Sequence, residues 1–379
     1  MPGPLQGLVI IELAGLGPAP FCGMVLADLG AEVVRIERIG GGGLIMASPE
    51  NDLLNRGKTS VAVDLKHEDG VEVVLALVAR GDALIEGFRP GVTERLGLGP
   101  AQCLARNPAL VYGRMTGWGQ DGPLAATAGH DIDYLALSGA LHSIGPADRP
   151  IPPLNLVADF GGGGMLLALG VLAGVIHARE TGEGQIVDAA MIDGSALLMA
   201  SHHGYMADGW WLPQRESNLL DGGAPFYTTY ETSDGAHVAV GALEPQFFTA
   251  LLVGLDIDPG EIGPQDDREG WPAMRQRLAT RFKERSRDEW AANFSGTDAC
   301  VAPVLSMAEA PAHEHNRQRS TFVELRGVLQ PGPAPRFSTS PASIGSPPPL
   351  PGSDTDRVLT AAGFSPEEIG KLREAGAIA

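Results

Sequence analysis

A short apolar run at residues 7–13, GLVIIEL, is followed by a helix-type segment at 20–29 and then by a second strand-type run at 31–36. The helical segment opens on Pro20 and stops at Gly30; proline suits a first turn whose N–H groups have no partner, and glycine suits the stop. Two strands joined through a helix cannot pair by a hairpin. The crossover sets them parallel, and a parallel sheet must be covered by helices on both faces. The alternation continues with a helix at 71–80, a strand at 83–87, a helix at 101–107 and strands at 109–115 and 185–189. The fold class is therefore α/β, with a large domain built on a parallel, Rossmann-like sheet.

Beyond residue 190 the pattern changes. A long apolar helical stretch covers 191–206, and two alternating runs at 226–232 and 237–242 flank Ser233-Asp234-Gly235, a hairpin turn signal. Helices at 271–285 and 287–294 and a strand at 300–304 follow. Residues 331–351 are rich in proline and serine, which suits an extended arm, and helix returns from Asp354. The expected organisation is a large α/β domain at 1–190, a helical linker at 191–224, a smaller α+β domain at 225–325, and an arm at 326–379 that returns to the large domain.

The chain carries a formal charge of −19, which disfavours nucleic acid and anionic membranes, both gripped by basic patches. Cys22, Cys103 and Cys300 are odd in number and far apart, so neither a disulfide framework nor a cysteine metal cluster is expected. The adjacent His202 and His203 point about 100° apart on a helix and have no third ligand at matching spacing, so no metal site is read. Neither end carries a recognisable targeting signal, and the cytoplasm is the expected compartment. Residues 161–178, GGGGMLLALGVLAGVIHA, imitate a membrane span; their six glycines and the absence of a second span favour a helix closely approached by other elements.

Gly15-Leu16-Gly17 after the first strand, with Glu37 further on, resembles a dinucleotide-binding turn. The pattern breaks at Pro20, where the third glycine would stand, and Pro18 stiffens the loop. A nicotinamide-dependent reductase is therefore a distant reading.

Longer motifs point elsewhere. Residues 19–38 (APFCGMVLADLGAEVVRIER), Asn55-Arg56-Gly57-Lys58 with Asp64-Leu65-Lys66, and Glu86-Gly87-Phe88-Arg89-Pro90-Gly91 resemble the family III CoA transferases, the CaiB/BaiF superfamily, which includes racemases. Gly129-His130-Asp131-Ile132, residues 153–160 (PLNLVADF), 220–227 (LDGGAPFY) and 241–247 (GALEPQF) are similar to its α-methylacyl-CoA racemase branch. The resemblance implies two interlocked chains in a homodimer, with each active site between one chain's large domain and its partner's small domain. It matches His130 and Asp159 to a proton-transfer pair and Glu244 to the acid that partners the histidine. It matches Arg38, Val63, Leu65, Arg95, Asp131 and Tyr134 to positions that hold CoA or its thioester.

These residue types suit the chemistry. Inverting a carbon α to a thioester needs a base on one face, an acid on the other and donors for the enolate oxygen. No metal or redox cofactor is required, CoA being part of the substrate. An imidazole, with an ordinary pKa near ~6.5, and a carboxyl raised by burial can both hold or give a proton near neutrality. A backbone N–H near Asp131 is the expected enolate donor. Plainer readings stand beside these: His130 as a loop residue, Asp159 as the N-cap of the glycine-rich helix at ~1 kcal/mol, Glu244 as an exposed helix-entry acid, and Arg38 and Arg95 as solvated arginines. Two rival functions remain open here, a CoA transferase with Asp159 as nucleophile and a non-catalytic acyl-CoA binding protein.

Overall fold

The computed structural model describes residues 3–41 and 47–379. Its main-chain contacts divide the chain into two units, one comprising residues 1–138, 154–198 and 318–379, the other 139–153 and 199–317.

The first unit holds a six-stranded sheet of β1 (Val9–Leu13), β2 (Glu32–Glu37), β3 (Thr59–Ala62), β4 (Ala83–Glu86), β5 (Val111–Thr116) and β6 (Gln185–Ala190). The order is β3-β2-β1-β4-β5-β6 and every neighbouring pair is parallel. Covered on both faces, β4 and β5 are buried along their whole length, which is why they read as continuous apolar runs. The strand order reverses between β1 and β4, and in open α/β sheets ligands bind outside the carboxyl ends of the strands at such a switch. Helix α1 (Pro18–Asp28) leaves β1 and α2 (Glu68–Val78) follows β3.

Strand β3 is absent from the reading of the sequence; it pairs with β2 on one edge, and the bonds on its other edge come from remote residues. The Ser60 N–H donates to Asp354 Oδ2 at 3.0 Å, the Ala62 N–H donates to Thr355 Oγ1 at 3.2 Å, and Val63 bridges to Ile378. The C-terminal arm thus completes the sheet edge. Arg56 fastens the arm further on: buried, it donates through Nη2 to Asp28 Oδ2 at 2.6 Å, and through Nη1 to Gln330 Oε1 at 2.9 Å and the Pro331 carbonyl at 2.7 Å.

The apolar stretch that imitates a membrane span forms a continuous helical segment, Leu156–Thr181. Its second part, Met165–Thr181, lies on the sheet, where an added Cβ at Gly170 or Gly174 would meet Val187 or Val111 at 2.7–2.8 Å. The close approach that its glycines permit is to β5 and β6.

The second unit contains an antiparallel sheet of β7 (Tyr227–Glu231), β8 (His237–Gly241) and β9 (Val301–Pro303). Helices Pro245–Leu255, Trp271–Phe282 and Arg287–Phe294 enclose a core with Leu251, Phe282, Trp290 and Phe294. The division differs from the sequence boundaries: residues 318–325 fall with the parallel sheet, and residues 199–224 join the second unit rather than standing apart as a linker. Helix Met191–Leu198 stays with the parallel sheet, and residues 139–153 belong to the second unit because Arg215 donates to the carbonyls of His142, Pro146 and Ala147.

Arg56→Ala leaves Asp28 buried without its cation and frees the arm. It is expected to cost about 3–5 kcal/mol in denaturant unfolding and to open residues 332–351 to limited proteolysis.

Candidate active site

The segment carrying Asp159 is a π-helix, Leu156–Gly164, a wider coil than the α-helix and frequent at functional sites. Glycine makes its seating possible. An added Cβ on Gly163 would lie 2.9 Å from the Met191 side chain, and one on Gly194 would lie 1.8 Å from the Gly162 carbonyl oxygen, so two main chains touch where no side chain fits. Phe160 stacks on Phe21 of α1 at 4.7 Å. Asp159 is therefore not an N-cap: Asn155 holds that place, and Asp159 sits inside the first turn of the π-helix.

His130 immediately precedes the helix Asp131–Ser138. Its N–H donates to Asp133 Oδ2 at 2.9 Å, and its carbonyl accepts from the N–H groups of Asp133 and Tyr134. These contacts hold the main chain and leave the exposed imidazole free. Among the described residues, the N–H groups of Asp131 and Ile132 meet no acceptor, which suits the enolate donor expected here. The Asp131 side chain turns inward, and its Oδ2 accepts from the N–H groups of Ala158 at 2.9 Å and Asp159 at 2.8 Å.

Burial is the largest influence on Asp159 and raises its pKa. Asn155, donating to Oδ2 at 3.2 Å, opposes this; the Asp131 carboxylate reinforces it, and a charge on His130 pulls the other way. His130 and Asp159 are thus within electrostatic reach of each other. Gly17, at φ +69°, lies against Asp159: an added Cβ would stand 3.3 Å from Oδ2. Asp159 occupies the space beside this glycine, and Pro18 and Pro20 remove donors from the first turn of α1 that a pyrophosphate would need. That is the physical case against the dinucleotide reading.

The positions matched to CoA differ in what they expose. Arg38 follows β2 and Arg95 follows β4, both exposed at the carboxyl edge of the sheet. Val63 is fully buried and Leu65 packs on the same core, so these two can offer a ligand little beyond main chain. Tyr134 is buried, edge-on to Trp118, and donates to the Gly129 carbonyl. Its hydroxyl closes the loop before His130. Burial pushes that phenol up to about 12, with Arg89 opposing, which brings the exposed Arg89 to this site beside the residues expected. The loop after β4 is braced by buried Glu86, which accepts from the Phe88 N–H at 2.6 Å and from Arg114 at 3.0 Å. Burial lifts its carboxyl to about 7. Glu244 stands in the other unit as the N-cap of helix Pro245–Leu255, exposed, with no side-chain capping bond. A cavity of about 690 Å³ lined by Lys58, Arg326, Gln330 and Arg357 includes none of the matched residues.

The family model described as CoA-transferase family III matches residues 5–355. The chain belongs to CoA-transferase family III. Among its relatives, the α-methylacyl-CoA racemase of Mus musculus is 47% identical over 371 residues, covering 97% of this chain and 96% of the relative. The Homo sapiens protein of the same name is 44% identical with the same coverage. A CaiB/BaiF family protein from Brucella suis has a crystal structure that superposes with a TM-score of 0.82 at 27% identity, over 96% of this chain and all of that one.

In this family III chain, His130 precedes a helix whose first N–H groups are open, and the Asp131 side chain ties that helix to the segment carrying the raised Asp159 carboxyl. The arrangement can exchange a proton at a carbon whose neighbouring oxygen is held by main-chain donors.

The raised carboxyl has a cost in stability with a definite sign. Ionising Asp159 is harder folded than unfolded, so its contribution to stability is full below the unfolded pKa and is lost as pH rises through the folded one. Asp159→Asn keeps an acceptor for Asn155 without the charge. Thermal melts should show a higher Tm than the parent at about pH 8, the gain vanishing near about pH 3.

Proposed function

We propose that this chain is a racemase of 2-methylacyl-CoA thioesters, inverting the α-carbon by proton transfer through an enolate between His130 and Asp159. What supports this reading is the tie between the two segments, the Asp131 carboxylate beside His130 accepting from the Asp159 N–H, together with the burial that raises the Asp159 carboxyl. Identity to the two racemases over nearly the whole chain supports it. Arg38, Arg89 and Arg95 would receive CoA phosphates, and the free N–H of Asp131 the thioester oxygen.

A CoA transferase would need Asp159 as an ionised nucleophile attacking the thioester. Identity of 44–47% to two racemases, against 30% to the succinyl-CoA:glutarate CoA-transferase of Homo sapiens, favours proton transfer over that role.

The functional form is read as a homodimer in which the Glu244 side chain of one chain serves His130 of the other. The large apolar residues Leu137, Met165, Leu169, Ile176, Leu197 and Leu198 are all between 47 and 62% exposed, surface that a monomer seldom leaves open. A monomer mass by sedimentation equilibrium would contradict the dimer.

The test is incubation of one enantiomer of a 2-methylacyl-CoA in deuterium oxide, without added acid, metal or nicotinamide, following the α-hydrogen by NMR. Deuterium uptake with loss of optical purity is expected, and His130→Ala or Asp159→Ala should each slow it by about 10²–10⁴-fold. No exchange, with CoA movement once a carboxylic acid is added, would replace this reading by the transferase.

A further inference from the structure

Asp131 is an expensive residue for the place that it occupies. Its side chain is in a residue only 7% exposed, and its Oδ1 meets no hydrogen-bond donor among the described residues. A buried carboxylate oxygen without a donor is costly. The helix that Asp131 begins does not need it, because Asp133 already accepts the N–H of His130. Both donors to Asp131 Oδ2, the N–H groups of Ala158 and Asp159, belong instead to the π-helix. The carboxylate next in sequence to one proton-handling residue thus grips the main chain of the other.

We infer that Asp131 is a positioning residue: it ties the loop bearing His130 to the π-helix bearing Asp159 and so sets the separation between the two groups. This rests on the racemase reading above and differs from the expected role of Asp131 as a contact to CoA. The tie spans 28 positions in the sequence, so neither segment can shift without breaking it. Proton transfer is sensitive to such shifts, since a displacement of about 1 Å can cost about 10²-fold in rate. The charge acts in the same direction. Behind burial and against Asn155, the Asp131 carboxylate raises the Asp159 pKa, keeping a proton available to the enolate.

The experiment uses the full chain with ¹³C-labelled aspartate carboxyls, titrated by NMR without substrate, alongside deuterium exchange into a 2-methylacyl-CoA. Asp131→Asn retains an oxygen that can accept both N–H groups but removes the charge; Asp131→Ala removes both. The Asp159 midpoint should fall in the Asn variant, and kcat for exchange should drop by about tenfold with KM little changed. The Ala variant should lose about a hundredfold. An unmoved Asp159 midpoint, or variants that raise KM and leave kcat intact, would overturn the inference and return Asp131 to the ligand contacts. If the parent protein exchanges no α-hydrogen, the racemase reading fails, while the NMR midpoint still decides whether Asp131 governs Asp159.

Discussion

Two main chains meet at Gly162 and Gly194 with no room for a side chain on the second, and the site depends on that contact. It lets the π-helix settle between α1 and helix Met191–Leu198, which turns Asp159 toward the loop after β1, beside Gly17. From there the hydrogen bonds to Asp131 reach the segment of His130. A methyl group at Gly194 would displace the π-helix and carry Asp159 with it. The run of glycines is thus a packing requirement, and the acid at its start is where the requirement becomes chemical.

Charge follows a similar logic. The chain is strongly acidic overall, yet in and beside the parallel sheet cations are paired and buried: Lys58 with Glu12, Arg35 with Glu12 and Glu37, Arg114 with Glu86 and Glu94. Such pairs seldom add net stability compared with apolar packing. What they do here is fix the ends of β1, β2 and β4. Arg38 and Arg89 remain exposed on the loops that follow, and Arg95 on the short helix Val92–Arg95.

Much of this was readable in the sequence. Apolar runs separated by helix starts and stops identified β1, β2, β4, β5 and β6, and the turn Ser233-Asp234-Gly235 identified the hairpin of the second unit, because in each case the signal lies in adjacent residues. Strand β3 escaped as an edge strand that pairs with β2 on one side only, its other side being completed from near residues 354 and 378. The π-helix escaped because the apolar pattern does not distinguish its wider coil from an α-helix, so Asp159 was open to being read as a cap. His130, Asp159 and Glu244 were singled out through family motifs. The inward turn of Asp131 and the proximity of Arg89 to Tyr134 have no local signature, since both arise from contacts between segments distant in the chain.

The central claim is that two different groups handle the proton, one on each face of the enolate. It is tested most directly by starting from each pure enantiomer of a 2-methylacyl-CoA in deuterium oxide and comparing early isotope content in the two enantiomer pools. A two-base site predicts that inverted product carries deuterium from the first turnovers while the unreacted enantiomer still holds its original hydrogen, in both directions. Product that retains the substrate hydrogen would mean that a single group carries the proton across, and the assignment of His130 and Asp159 as a pair would be wrong.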